Sequence, residues 1–124
     1  MSQIGIVGLK LDLKIKQGSS VAIPFKMNDA TGAARDLTSY IVRSQIRKNK
    51  DAPLTQAFTA TITNYLGGKF VLSLTPAQTS AIPCGETVAS ASSKYVWDLE
   101  MESPTGFVTP LAYGAVVVFP EVTR

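Results

Sequence analysis

The chain has 124 residues, 45% of them apolar, and twelve basic against nine acidic side chains give it a net charge of +3. That length suits one domain with its own core, and the apolar content is too high for a disordered chain. The lack of any histidine and the presence of one cysteine, Cys84, remove the commonest general base, the commonest metal ligand and any intrachain disulfide. Zinc, haem and Ser-His-Asp chemistry are thereby excluded, and neither a cofactor nor enzymatic activity is expected.

The positive excess is mild, short of the clustered field of a nucleic-acid binder, so no nucleic acid is expected as partner. No segment approaches the roughly 20 apolar residues of a membrane span. The opening Met1 to Leu9 lacks the basic start of a signal peptide. These features describe a soluble chain made in a reducing cytoplasm, with no membrane and no small-molecule substrate.

In chain order, Met1 to Lys10 comes first. Ile4, Ile6, Val7 and Leu9 are set among Gly5 and Gly8, too short for a core and too apolar for a solvated tail. Two readings of this segment carry equal weight. It is a flexible arm that adds a strand to a neighbouring copy, or it is the first strand of its own domain. The domain proper then runs from 11 to 124. Leu11 to Lys16 alternates apolar and polar, as a strand with one buried face requires, and Gln17-Gly18-Ser19-Ser20 turns it.

Val21, Ile23, Phe25 and Met27 form the apolar face of the next strand. Pro24 within it lacks an N–H and predicts a sheet edge or bulge. After the turn Asp29-Ala30-Thr31-Gly32, the stretch Tyr40 to Arg47 points Tyr40, Val42 and Ile46 inward and Arg43, Gln45 and Arg47 outward. Asn49 to Pro53 breaks it. Ala57 to Ile62 predicts a further strand, with Phe58, Ala60 and Ile62 on one face. Asn64 to Gly68 links it to Lys69–Leu74, and Thr75-Pro76 starts a single helical turn with Thr75 as its cap. A small-residue loop, Gly85 to Ser93, leads to the last element.

That element is a hairpin from Tyr95 to the end of the chain. Tyr95, Trp97, Leu99 and Met101 face one way and Asp98, Glu100 and Glu102 the other. Ser103-Pro104-Thr105-Gly106 places proline and glycine where a type I turn prefers them. Phe107, Val108 and Ala115–Phe119 return until Pro120. The sum is an all-β, immunoglobulin-like sandwich of about seven to eight antiparallel strands with one short helical turn. The Cys…Trp…Cys pattern of antibody domains is absent, so the likeness is architectural.

Trp97, in phase with the apolar face, reads as core rather than as a sugar-stacking side chain. Cys84 reads as a small buried residue, and Gly67-Gly68 as a hairpin turn rather than a phosphate loop. Arg43, Arg47, Lys48 and Lys50 make one basic cluster, a solvated face first and a subunit contact second. Asp98, Glu100 and Glu102 make an acidic stripe, without the wrapping oxygen ligands of a calcium site. Their opposite signs suit contact between copies. The candidate subunit contacts are therefore Ile4, Ile6, Val7, Leu9, Arg43, Arg47, Glu100 and Glu102.

Several blocks follow one another in a familiar order. They are Asp36-Leu37-Thr38-Ser39-Tyr40 with Val42-Arg43 and Gln45-Ile46-Arg47, then Leu72-Ser73-Leu74-Thr75-Pro76-Ala77-Gln78-Thr79, then Tyr95-Val96-Trp97-Asp98-Leu99-Glu100, and finally Pro120-Glu121-Val122-Thr123-Arg124. Together they resemble the phage virion β-sandwich family found in long-tail-fibre connector (collar) proteins and related baseplate and fibre-attachment proteins. The likeness spans Leu11 to Arg124. One departure is that Glu86 to Ser93 intervenes where the family has a short glycine-containing link.

The resemblance implies a non-enzymatic virion structural protein, assembled in the host cytoplasm, of the tail collar, tail tip or fibre-attachment region. Its partners would be copies of itself, in a ring or sleeve, and other tail or fibre proteins. The alternatives are a phage neck or head-fibre component and a carbohydrate-binding host-adhesion module.

Overall fold

Alternating apolar residues every second position have to close two sheets over one another, and among the described residues they do so with nine strands. The computed structural model describes residues 8–84 and 93–122. The strands are β1 (Leu9–Lys10), β2 (Leu13–Lys16), β3 (Val21–Lys26), β4 (Ile41–Arg47), β5 (Leu54–Ala57), β6 (Thr59–Asn64), β7 (Lys69–Leu74), β8 (Ser93–Glu102) and β9 (Val108–Phe119), with one short helix, α1 (Pro76–Ser80), after β7. One sheet has the order β1-β9-β8-β4-β5, with β2 also on β9, and the other has β3-β7-β6. This partition, with β3 and β4 in different sheets, is that of an immunoglobulin-like sandwich.

Several features differ from the sequence-based expectation. The strands number nine among the described residues, and not all are antiparallel, because β1 and β2 run parallel to β9. Nearly the whole domain lies between these segments, which leaves ample chain for a parallel return. In addition, the predicted strand Ala57–Ile62 is two strands in different sheets. Phe58 is the pivot: its N–H donates to the Ser44 carbonyl at 2.9 Å and its ring turns edge-on to Trp97, centroids 6.0 Å apart. The buried ring holds the corner where the chain changes layer.

The predicted strand Leu11–Lys16 is likewise interrupted at Leu11 and Asp12. The Trp97 indole N–H donates to the Leu11 carbonyl at 2.7 Å, and Asp12 Oδ1 accepts from the Ala115 N–H at 2.9 Å. Those two groups are taken out of the ladder by side-chain chemistry, so regular pairing resumes only at Leu13. Leu9 and Lys10, which the sequence places in the arm, pair with Ala112 and Tyr113 of the same chain. Ile4, Ile6 and Val7 lie outside the described residues, as does all of the predicted Gly85–Ser93 loop except Ser93, which begins β8.

Other expectations hold. Tyr95, Trp97, Leu99 and Met101 are all buried, and so are Phe70, Leu72 and Leu74 on β7. Pro24 sits on β3, an edge strand, where its missing N–H costs no ladder bond. The hairpin turn closes through Gly106 N–H to the Ser103 carbonyl at 2.9 Å, with Gly106 at φ 89°. Cys84 is buried with its thiol 2.9 Å from the Val118 carbonyl. Tyr95, near the start of β8, donates its hydroxyl to the Pro83 carbonyl, much as the tyrosine corner of such sandwiches does.

The cap of α1 is reciprocal: Thr75 Oγ1 accepts from the Gln78 N–H, and Gln78 Oε1 accepts from the Thr75 N–H. Within that turn Thr79 is fully buried. Its hydroxyl accepts from the Gly18 N–H at 3.0 Å and donates to the Ser19 carbonyl at 2.8 Å, tying the helix to the β2–β3 turn. Thr79→Val keeps the shape but strands both backbone groups, for an expected loss of about 1–3 kcal/mol in urea unfolding. An unchanged midpoint would mean that water replaces the hydroxyl.

Candidate interaction surface

Because strand side chains alternate, every residue opposite in phase to the core projects from an outer face. On the three-stranded sheet that face carries Ala22, Pro24 and Lys26, then Lys69, a half-buried Val71 and Ser73, then Thr59 and Thr61. Such a surface is content in water. On the larger sheet the register aligns Val96 with Ala115 and Arg47, Asp98 with Tyr113 and Gln45, Glu100 with Arg43, and Glu102 with Val108 and Ile41. Among the described residues there are eleven exposed large hydrophobics. Six of them (Ile41, Leu54, Val96, Val108, Tyr113 and Phe119) stand on this one face. Apolar side chains scattered singly are ordinary, but concentration on one face marks a contact surface.

The charges on the face are arranged by the same register. Arg43 lies between two carboxylates of β8, its Nε 2.6 Å from Glu100 Oε1 and one terminal nitrogen 2.9 Å from Glu102 Oε1. The hydrogen bonds that Arg43 donates to both glutamates raise its pKa further. Three of the candidate subunit contacts thus already pair with one another inside one chain. Arg47 is elsewhere, four residues further along the same outward row of β4, where it donates to the Ala52 carbonyl and to Gln45 Oε1. Lys48 lies over the Tyr95 ring at 4.7 Å, and Lys50 pairs with Asp51. The single basic cluster read from sequence is therefore divided, with Arg43 in the acidic stripe and the rest at the far end.

Parallel pairing of β2 with β9 brings in lysines that the sequence reading left out. Lys14 lies beside Val117, which pairs across with Lys94, and Lys16 lies beside Phe119. The alternation of Leu11 to Lys16 already showed these lysines to be outward. Which strand they would flank was not legible, because nothing local encodes a parallel partner a hundred residues away.

At the centre of the face is a groove of about 550 Å3, bordered by Tyr113, Asp98, Gln45, Asn49, Lys10 and Arg47. Asp98 has a raised pKa, first through partial burial and then through the Glu100 charge, with Arg47 opposing. A carboxyl raised in the folded state favours folding most when protonated, and that contribution is lost as pH rises through its folded value. Asp98→Asn is accordingly expected to match or slightly exceed the parent in stability at neutral pH.

Asp29 and Asp36 behave oppositely. Each accepts from the hydroxyl and the N–H of a threonine two residues on, which holds its pKa below 3.8. Their contribution is complete above that value and fades as pH falls through the lowered folded value. Thermal midpoints should therefore drop in acid, and less steeply in Asp29→Asn/Asp36→Asn.

Among the described residues no three histidine, cysteine or acidic side chains come together as a metal site, and no helix is long and apolar enough to cross a membrane. No family model matches the chain, and no curated protein does. Solved structures similar to it include a chain of the ZIG-8–RIG-5 IG1–IG1 heterodimer, at 10% identity over 93% of this chain and 89% of that one, TM-score 0.37. Another is a chain from a photo-crosslinking study of multimeric cell-adhesive interactions of VGSC beta subunits, at 10% identity over 98% of both chains, TM-score 0.40. A third is from the extracellular domains of the voltage-gated sodium channel beta4 subunit, at 9% identity over 98% of this chain and 100% of that one, TM-score 0.39.

Proposed function

We propose that this chain is a non-enzymatic structural protein of a bacteriophage virion, a tail collar, tail-tip or fibre-attachment component that acts by docking to neighbouring proteins. The observation that carries a docking role is the contrast between the two outer faces: the described strands of one hold no exposed large hydrophobic, and the other holds six. The virion assignment is supported by the ordered blocks from Asp36 to Arg124 that resemble the connector family. The test is gold-conjugated antibody against the full chain, applied to intact and gently disrupted particles of the phage that encodes it. Label at one end of the tail is the expected result. Particles that carry none of the protein, intact or disrupted, would overturn the assignment.

A second reading has one observation in its favour. Tyr113 stands beside Asp98 and Gln45 in the central groove, and an aromatic ring with nearby amide and carboxylate groups is a workable sugar platform. A glycan array separates the two readings. Specific binding that Tyr113→Ala abolishes would make host adhesion the function, whereas a blank array leaves docking to protein.

A further inference from the structure

We propose that the outer face of the larger sheet docks a second copy of this chain, the two sheets meeting face to face across a two-fold axis with their strands reversed. The inference rests on the assembly role proposed above and names the surface through which it works. The apolar part of the case is the concentration of Ile41, Leu54, Val96, Val108, Tyr113 and Phe119 on that face. Val96 and Tyr113, adjacent to its middle, are 39% and 37% exposed, which is large for side chains flanked on both sides by strands.

The orientation follows from charge. One end of the face carries Lys14, Lys16 and Lys94, with Arg47 one outward position nearer the middle beside Val96. The other carries Glu100 and Glu102 against a single Arg43, which leaves one net negative charge. Lys94 and Glu102 are the near-terminal outward residues of β8, separated by about 26 Å at the usual rise of a strand. That exceeds the Debye length of about 8 Å at physiological salt, so the two ends act independently. Superposing two copies in the same direction sets lysine over lysine. Reversing one sets each lysine end over the partner's glutamate end, and a two-fold axis does this with one self-complementary patch.

The size is adequate. Five strand positions at about 4.8 Å spacing and ten residues of β8 give a footprint of roughly 600 Å2, against about 800 Å2 per partner in a standard interface. The Arg43 pairs do not compete with docking, since Glu100 and Glu102 each retain oxygen capacity for a partner lysine.

The experiment is sedimentation of the full chain from about 1 µM to about 1 mM, a range that spans weak and moderate association, at low and high salt. A monomer–dimer equilibrium that weakens with salt is expected. Val96→Arg should raise the dissociation constant at least about tenfold, as loss of a central anchor does, while Thr61→Arg on the opposite sheet leaves it unchanged. Lys94→Glu, fully on the surface, should weaken the dimer in the same direction and serves if Val96→Arg melts early. A monomer throughout overturns the inference, and so does a dimer indifferent to both face substitutions. Either outcome leaves the virion role standing if the gold label still decorates the particle, so the two failures are distinguishable.

Discussion

Trp97→Ala should unfold at markedly lower denaturant than the parent, with a loss of about 3–5 kcal/mol. The side chain is 3% exposed, meets the Phe58 ring edge-on, and spends its one polar atom on the Leu11 carbonyl. Removal therefore opens a cavity and also strands a backbone acceptor in the interior. Phe58 is affected as well, because its ring holds the corner between β5 and β6. Urea titration followed by far-UV circular dichroism measures the loss, since the variant has no tryptophan. In the parent, emission from Trp97 should be blue-shifted and poorly quenched by iodide. A readily quenched tryptophan, or a variant as stable as the parent, would mean that the indole does not bridge the two layers.

Gly114→Ala is the smallest substitution with a large expected effect, about 3 kcal/mol. Gly114 pairs with Trp97 across the hairpin. A Cβ there would run into the Leu11 carbonyl, whose carbon lies only 2.7 Å away and whose oxygen is nearer still. The obstacle is backbone, so no rotamer change relieves it. The link between β1 and β2 must lift off β9, and the Trp97 hydrogen bond goes with it. The check is a red shift of tryptophan emission together with an earlier melt, followed by recovery of neither on adding salt. If Gly114→Ala melts with the parent, Leu11 does not cross where the structure puts it.

Much of this protein is decided by the two-residue period of its sequence. Tyr95 to Met101 and Phe70 to Leu74 alternate without interruption, and a pleated strand with one face in a core has no other way to place them. Pro24 at an edge, Gly106 in the hairpin turn and the Thr75–Gln78 cap are also local matters, because each depends on a dihedral or a donor within four residues. The candidate surface was legible in its parts for the same reason: Arg43, Arg47, Glu100 and Glu102 were outward by alternation alone.

What those outward residues do to one another depends on register, and register is set by partners far apart in the chain. Arg43 meets Glu100 and Glu102 because β4 lies beside β8, fifty-seven and fifty-nine residues away. Lys14 and Lys16 join the face because β2 takes the free edge of β9 in parallel. The breaks at Leu11–Asp12 and at Phe58 have the same origin. A tryptophan indole claims a carbonyl in one case, and a buried ring turns the chain into the other sheet in the second. Alternation decides which side of a strand a residue occupies. Only the packed sandwich decides what stands next to it, because hydrogen-bonded register and core volume are satisfied by the whole chain at once.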